Sequence, residues 1–229
     1  MSLKVGIVGA AGYAGAELIR LVLGHPEFEL VAITSNADTG QPLSAVYPSF
    51  TGVSDLVFTT HDAPELKNCD AVFLAVPHTA AMAQVPALLA AGVSCIDLSA
   101  DYRLSDPATF EAWYAAEPTS PELLKTRAFG LPELFSMDLE TAASDHADGK
   151  PVLVACAGCY PTATSLAAAP AVRAGWVAEN GPVIVDAISG VTGAGKSCNA
   201  RTHFCSADEN LEAYGVGKHR HTPEIEQIL

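Results

Sequence analysis

The 229-residue sequence predicts an α/β protein built on a doubly wound, mainly parallel sheet. Three observations carry that expectation. Short apolar runs alternate with amphipathic stretches through the first part of the chain. Apolar residues make up 49% of the whole and charged ones only 17%, which suits a sizeable core. A glycine run, Gly9-Ala10-Ala11-Gly12-Tyr13-Ala14-Gly15, joins the first apolar run to the first amphipathic one.

Taken in order, 3–8 reads as a buried strand and 12–24 as a helix with Leu18, Leu21 and Val22 on one face. Gly24 and Pro26 stop that helix. A second strand covers 29–34, and a Gly/Pro/Ser-rich stretch of little periodicity runs to about Thr60. Strands follow over 71–75 and 93–98, separated by a helix over 79–91 that Pro86 should kink. From Ser105 to Gly149 the pattern weakens into short helices and acidic loops punctuated by Pro107, Pro118, Pro121 and Pro132. A strand over 151–155, a helix over 161–173 and a strand over 182–188 close the regular pattern. Thr222-Pro223-Glu224 reads as an N-cap, a first-turn proline and an acidic first turn. The helix they open has barely begun at Leu229, so further chain is expected beyond it. The division falls near Ala155, giving a dinucleotide-binding unit over 1–155 and the first part of a catalytic unit over 156–229.

The net charge of −14 argues against a nucleic-acid partner, because phosphate backbones are held by clustered Lys and Arg. The few cations must then act locally, which singles out Arg103, Lys196, Arg201, Lys218 and Arg220. No apolar run has the length of a membrane span, and Met1-Ser2-Leu3 leads straight into a strand, so a cytoplasmic protein is expected. Its six cysteines are then expected as thiols rather than disulfides.

Glycines at a strand-to-helix turn let a backbone approach a pyrophosphate, and the helix N-terminus presents free N–H groups to it. The spacing here is Gly-x-x-Gly-x-x-Gly, moderate evidence by itself, but a strand precedes it and a helix and second strand follow. The second strand ends in Thr34-Ser35-Asn36 with no acid at the usual ribose-binding place. That leaves room for a 2′-phosphate and favours NADP(H), although Asp38 lies close by.

The strand over 151–155 runs into Cys156-Ala157-Gly158-Cys159-Tyr160-Pro161-Thr162. Pro161 suits a first helical turn, so Cys159 falls at a helix N-terminus, where the nucleophilic thiolate is favoured. Two other readings stand beside it. Cys156 and Cys159 form a C-x-x-C pair, which fits a thiol redox couple, and with His203 and Cys205 they offer possible zinc ligands. Neither accounts for the glycine run, and no metal is expected. A third reading comes from Gly190-Val191-Thr192-Gly193-Ala194-Gly195-Lys196-Ser197, which fits the P-loop pattern of a nucleotide triphosphatase. No long amphipathic helix follows Ser197, so the loop reads instead as a flexible, cation-bearing substrate or phosphate loop.

The motifs together resemble the N-acetyl-γ-glutamyl-phosphate reductase family, related in fold to aspartate-semialdehyde and glyceraldehyde-phosphate dehydrogenases. The resemblance covers essentially the whole chain. It rests on the glycine run with Ala16-Glu17-Leu18, on Val72-Phe73-Leu74-Ala75, on Asp97-Leu98-Ser99-Ala100-Asp101-Tyr102-Arg103 and on Gly130-Leu131-Pro132-Glu133. It continues through Gly158-Cys159-Tyr160-Pro161-Thr162, Ser189 to Gly195, and His219-Arg220-His221-Thr222-Pro223-Glu224-Ile225. One departure is Cys156-Ala157, where members commonly carry a proline before the Gly-Cys.

The resemblance implies a Rossmann-type cofactor domain followed by an α+β catalytic domain whose remainder lies beyond Leu229. It implies NADPH-dependent reduction of a small acyl phosphate to a semialdehyde through a thioester on Cys159, in arginine biosynthesis. A longer aminoadipyl substrate stays open. His219 or His221 would be the acid/base, and the pair precedes a helix whose N-terminus depresses an imidazolium pKa. Cofactor contacts are expected from Gly9 through Gly15, Ser35, Ser189 and Gly190. Substrate contacts are expected from Ser99, Arg103, Gly158, Lys196 and Glu224, with guanidinium and ammonium groups suited to phosphate or carboxylate. A homo-oligomer, dimer or tetramer, is the expected assembly.

Overall fold

The computed structural model describes residues 2–178 and 181–229. Six strands form one sheet: β1 (Leu3–Val8), β2 (Phe28–Thr34), β3 (Ala71–Leu74), β4 (Ser94–Asp97), β5 (Ala128–Gly130) and β6 (Leu153–Cys156). Their order is β2-β1-β3-β4-β6-β5, and every neighbouring pair runs parallel. Parallel strands are covered on both faces, which explains the near-continuous apolar runs of the sequence. Side chains alternate across each strand, so Val5 and Ile7 pack with Ile19, Val22, Leu43 and Phe58 on one side. Val8, Val72 and Leu74 pack with Val85, Leu88, Tyr102 and Phe110 on the other. Each fully buried Ile or Leu of this kind stabilises the fold by about 1.5–3 kcal/mol.

The helices are α1 (Tyr13–Leu23), α2 (Leu43–Val46), α3 (Val85–Ala90), α4 (Pro107–Tyr114), α5 (Pro132–Ala147), α6 (Cys159–Arg173), α7 (Phe204–Ala207) and α8 (Thr222–Ile228). Proline stands in the first turn of α3, α4, α5 and α8, where its missing N–H costs nothing. Asp106 adds a side-chain cap to α4, accepting the N–H groups of Ala108 and Thr109.

Several expectations change. The helix expected over 79–91 is a short 3-10 turn, Ala81–Ala83, followed by α3, so Pro86 opens a helix rather than kinking one. The weakly patterned stretch 105–149 holds the 16-residue α5 and the short β5. The strand expected over 182–188 does not form: Val183, Ile184, Val185 and Ile188 are exposed, and no strand lies beside them among the described residues. An apolar run becomes a strand only when a partner takes its ladder of hydrogen bonds. The helix at 222 begins with Thr222 itself, preceded by His221 in the capping position.

The strand order reverses between β1 and β3: the chain leaves β1 for β2 on one side and returns to β3 on the other. In open α/β sheets the crevice beyond the carboxyl ends of such strands takes the ligand. Here the loops that reach it start at Gly9, after β1, and at Ala75, after β3.

Candidate active site

The glycine turn is shaped for close approach. Gly9 has φ 79°, a left-handed conformation that favours glycine, and an added Cβ would collide with the carbonyl of Ala75. A Cβ on Gly15 would lie 2.5 Å from the carbonyl oxygen of Gly9, so only glycine lets α1 pack this tightly on its own turn. Gly12 precedes α1 in extended geometry, and the first N–H groups of that helix are left without intrahelical acceptors. The cradle therefore fits a dinucleotide pyrophosphate. Ala11 offers its carbonyl to Tyr47 Oη at 2.8 Å and to Lys196 Nζ at 3.4 Å. Lys196 also stands 5.3 Å from the centre of the Tyr47 ring. The lysine, expected to contact substrate, thus stands at the glycine turn and does not line the cleft that holds Cys159. At the end of β2, Ser35 Oγ donates to Asp38 Oδ2 at 2.7 Å, so the nearby acid is folded back onto the serine.

The second strand-to-helix turn repeats the first. β6 ends at Cys156, Gly158 precedes α6 in extended geometry, and Cys159, expected at a helix N-terminus, is the first residue of the helix and is exposed. What holds this turn is a buried pair. Glu224, from α8, accepts the Gly158 N–H on Oε1 at 2.8 Å, and its Oε2 lies 3.5 Å from Arg103 Nη1. Arg103 Nε donates to the carbonyl of Cys156 at 2.7 Å and Nη2 to that of Leu98 at 2.6 Å. The pair thus grips the chain on both sides of Ala157. Gln227, three residues along α8, donates to the carbonyl of Arg103 and accepts the Ser105 N–H. A Cβ on Gly158 would lie 2.7 Å from His221 Nε2 and 2.8 Å from Arg103 Nη1, which explains the glycine.

Of the residues expected to contact substrate, Arg103, Glu224 and Ser99 lie beneath the loop. Arg103 is 4% exposed and Glu224 1%, and both lie beneath the loop with their polar atoms committed. Ser99 is also 1% exposed; its hydroxyl donates to Asp97 Oδ2 and accepts the Asp101 N–H. Burial raises the Glu224 carboxyl above its usual range against the pull of Arg103 and of the Gly158 N–H. It also pushes Asp97 up to about 6, although the bonds from Ser99 act the other way. Charged groups in such places are retained only with partners.

Above the loop, a cleft of about 680 Å³ brings together Cys159, Tyr160, Ser189, Gly190, His219, Arg220 and His221. Ser189 and Gly190 therefore sit beside the cysteine rather than at the glycine turn; Tyr160 Oη donates to Ser189 Oγ at 2.9 Å. His219 stacks edge-on to Tyr160 and His221, and its Nδ1 accepts the backbone N–H of His221 at 3.2 Å. Burial lowers both imidazoles, with the Arg220 charge adding to the effect on His219. His221 falls to about 3, from burial first and then from Arg103, His219, His78 and Arg220. Its Nδ1 is buried without a hydrogen-bond partner among the described residues.

One wall residue was not anticipated. His78 follows β3 and lines the same cleft. Its signal in the sequence was positional, a histidine just past the carboxyl end of a strand at the reversal of a doubly wound sheet.

The competing readings lose their support here. Cys156 is half-buried and burial pushes its thiol up to about 11, unlike the reactive partner a dithiol couple needs. Among the described residues no three His, Cys, Asp or Glu converge as metal ligands. The P-loop pattern has an unpaired segment before it, a 3-10 turn (Val191–Ala194) within it and no helix after it until α7.

Comparison with known proteins gives the same fold. The semialdehyde dehydrogenase NAD-binding domain matches residues 4–142, and the semialdehyde dehydrogenase dimerisation domain matches residues 159–229. The chain is 47% identical over 227 residues to N-acetyl-gamma-glutamyl-phosphate reductase of Halorhodospira halophila and 48% identical over 227 residues to that of Herminiimonas arsenicoxydans. Each alignment covers 99% of this chain, and the chain spans 63% of the length of either relative. Among solved structures, aspartate semialdehyde dehydrogenase from Candida albicans with NADP matches with a TM-score of 0.56 at 18% identity, over 76% of this chain and 48% of that one. The Vibrio cholerae aspartate semialdehyde dehydrogenase II with ASA matches with a TM-score of 0.55 at 14% identity, over 76% and 47%. These two likenesses concern the fold. With its glycine turn, its Gly158-Cys159 turn and a family model spanning residues 4–142, the chain belongs to the semialdehyde dehydrogenase family.

Proposed function

We propose that this chain carries the cofactor domain and the nucleophile of an NADPH-dependent N-acetyl-γ-glutamyl-phosphate reductase. The observation that carries the reading is Cys159 at the first position of α6, in one cleft with His219 and His221. Relatives bearing that name at 47% and 48% identity support it. We place the division between cofactor and catalytic units near Ala155, just before α6 and the start of the dimerisation-domain match. A homo-oligomer in the cytoplasm completes the proposal; no helix among the described residues is long and apolar enough to cross a membrane.

In the proposed reaction the Cys159 thiolate attacks the acyl carbon of N-acetyl-γ-glutamyl phosphate, and the carbon–oxygen bond to phosphate breaks. Inorganic phosphate leaves and a thioester remains. The Gly9–Gly15 turn would hold NADPH by its pyrophosphate, and the bound cofactor would supply the hydride that reduces the thioester. The missing acid at the end of β2 favours NADPH over NADH, and Lys196 adds a cation at the phosphate turn. His219 or His221, neutral near pH 7, takes the Cys159 thiol proton before the attack, gives it to the oxyanion left by hydride addition, and takes it back as the carbonyl re-forms and Cys159 is released as thiolate. Arg103 and Glu224 hold the loop from below and take no part in the bond changes.

Cys159→Ser in the whole protein tests the reading. It should abolish phosphate-dependent oxidation of N-acetylglutamate semialdehyde by NADP⁺, a fall on the order of 10³-fold or more. Near-normal turnover would sink the covalent route.

A further inference from the structure

His78 is held more firmly than a cleft-wall histidine needs to be. Its Nδ1 accepts the backbone N–H of Ala100 at 3.1 Å, which leaves the proton of the neutral ring on Nε2. The next residue, Thr79, has φ 74°, a left-handed conformation rare for a β-branched side chain. Asp101 fixes that bend, accepting the Thr79 N–H on Oδ1 at 2.6 Å and the Met82 N–H on Oδ2 at 3.0 Å. Strained backbone kept in place by its surroundings concentrates at ligand sites. The ring stands edge-on to Tyr114, with centroids 5.4 Å apart. The Arg220 guanidinium carbon lies 5.7 Å from the centre of that same tyrosine ring, and Arg220 forms no ion pair among the described residues. Burial, Arg103 and Arg220 bring the His78 imidazole down to about 4, so it is an uncharged donor at neutral pH.

We propose that His78 and Arg220, mounted on Tyr114, form an oxyanion subsite beside Cys159, in which the Nε2–H of His78 donates to an anionic group of the substrate. The inference rests on the acyl-phosphate reading above. Two groups of that substrate share the chemistry, its phosphoryl oxygens and its carboxylate. A neutral donor beside one arginine suits either, because it adds a hydrogen bond without a second buried charge.

Two variants separate a donor from a spacer. His78→Gln places an amide N–H near the position of Nε2, whereas His78→Asn keeps an acceptor for the Ala100 N–H and removes the distal donor. The readout is protection of Cys159 from iodoacetamide in the whole protein, titrated with inorganic phosphate and, separately, with N-acetylglutamate. The anion that occupies the subsite should need about tenfold more concentration to protect the Asn variant, and less than about threefold more for the Gln variant. Alkylation without anion is measured for each variant, and protection is read relative to that variant's own rate. A shift confined to phosphate assigns the phosphoryl group, and one confined to N-acetylglutamate assigns the carboxylate. The proposal is overturned if Asn behaves as the parent while Gln does not, the pattern of a purely structural ring, or if neither anion shifts. Protection is read without turnover, so failure of the reductase reading in a kinetic assay is a separate result from failure of this subsite.

Discussion

Glu224 on α8 accepts the backbone N–H of Gly158, 66 positions earlier in the chain, at 2.8 Å. The residue before the candidate nucleophile is thus anchored by a carboxylate that is also the partner of buried Arg103. Replacing Glu224 by Gln keeps an acceptor for Gly158 but leaves the Arg103 charge uncompensated. It should lower the unfolding free energy by about 3 kcal/mol, read by urea denaturation. Glu224→Ala should cost more and also change the rate at which iodoacetamide reaches Cys159, because the loop loses its acceptor as well. Parent-like stability of the Gln variant would mean that the pair does not carry the loop.

Lys196 supplies a second test, since its place at Ala11 and Tyr47 separates a cofactor role from a substrate role. Lys196→Ala should weaken NADPH binding about fivefold, the loss of about 1 kcal/mol, in a fluorescence titration. The effect should shrink with added salt. A raised KM for the acyl phosphate with unchanged cofactor affinity would return the lysine to the substrate.

Acid stability follows from the imidazole of His221. Its folded value of about 3 lies below the ordinary 6.5, so the unfolded chain binds the extra proton between those limits. The stability this group contributes is present above pH 6.5 and is lost as pH falls toward 3. His221→Gln should therefore reduce the stability loss between pH 7 and pH 5 by about 1 kcal/mol, a figure discounted for a half-buried site. His78, brought down to about 4, adds a loss of the same sign over the same range. Asp97, raised to about 6, opposes them, because its neutral form is favoured in the fold as pH falls. An unchanged slope in the His221 variant would contradict this assignment.

Much of this was legible in the sequence where local pattern suffices. The expected bounds of the first strand coincide with β1; the second and third strands differ by one residue at one end, and the fourth by one at each end. Cys159 could be placed at a helix N-terminus from Gly158 and Pro161 alone. α5 escaped because Ala142 is its only buried residue, so its sequence has no apolar stripe. β5 is three residues long, too short for an alternation to register. The stretch 182–188 misled in the opposite way, since pairing is a non-local fact that an apolar run cannot announce. The burial of Arg103 against Glu224 was hidden by a separation of 121 positions, and each residue alone looked like a substrate ligand. His78 was passed over as a single histidine, though its strand-end position carried information.

The central claim is that Cys159 forms a thioester with the acyl group. Acid quenching of the whole protein with N-acetyl-γ-glutamyl phosphate, in the absence of NADPH, followed by intact mass and peptide mapping, tests it directly. The account predicts one N-acetylglutamyl group per chain on the peptide carrying Cys159, released by hydroxylamine and absent from Cys159→Ala. An unmodified Cys159 peptide from enzyme that turns over normally once NADPH is added would contradict it.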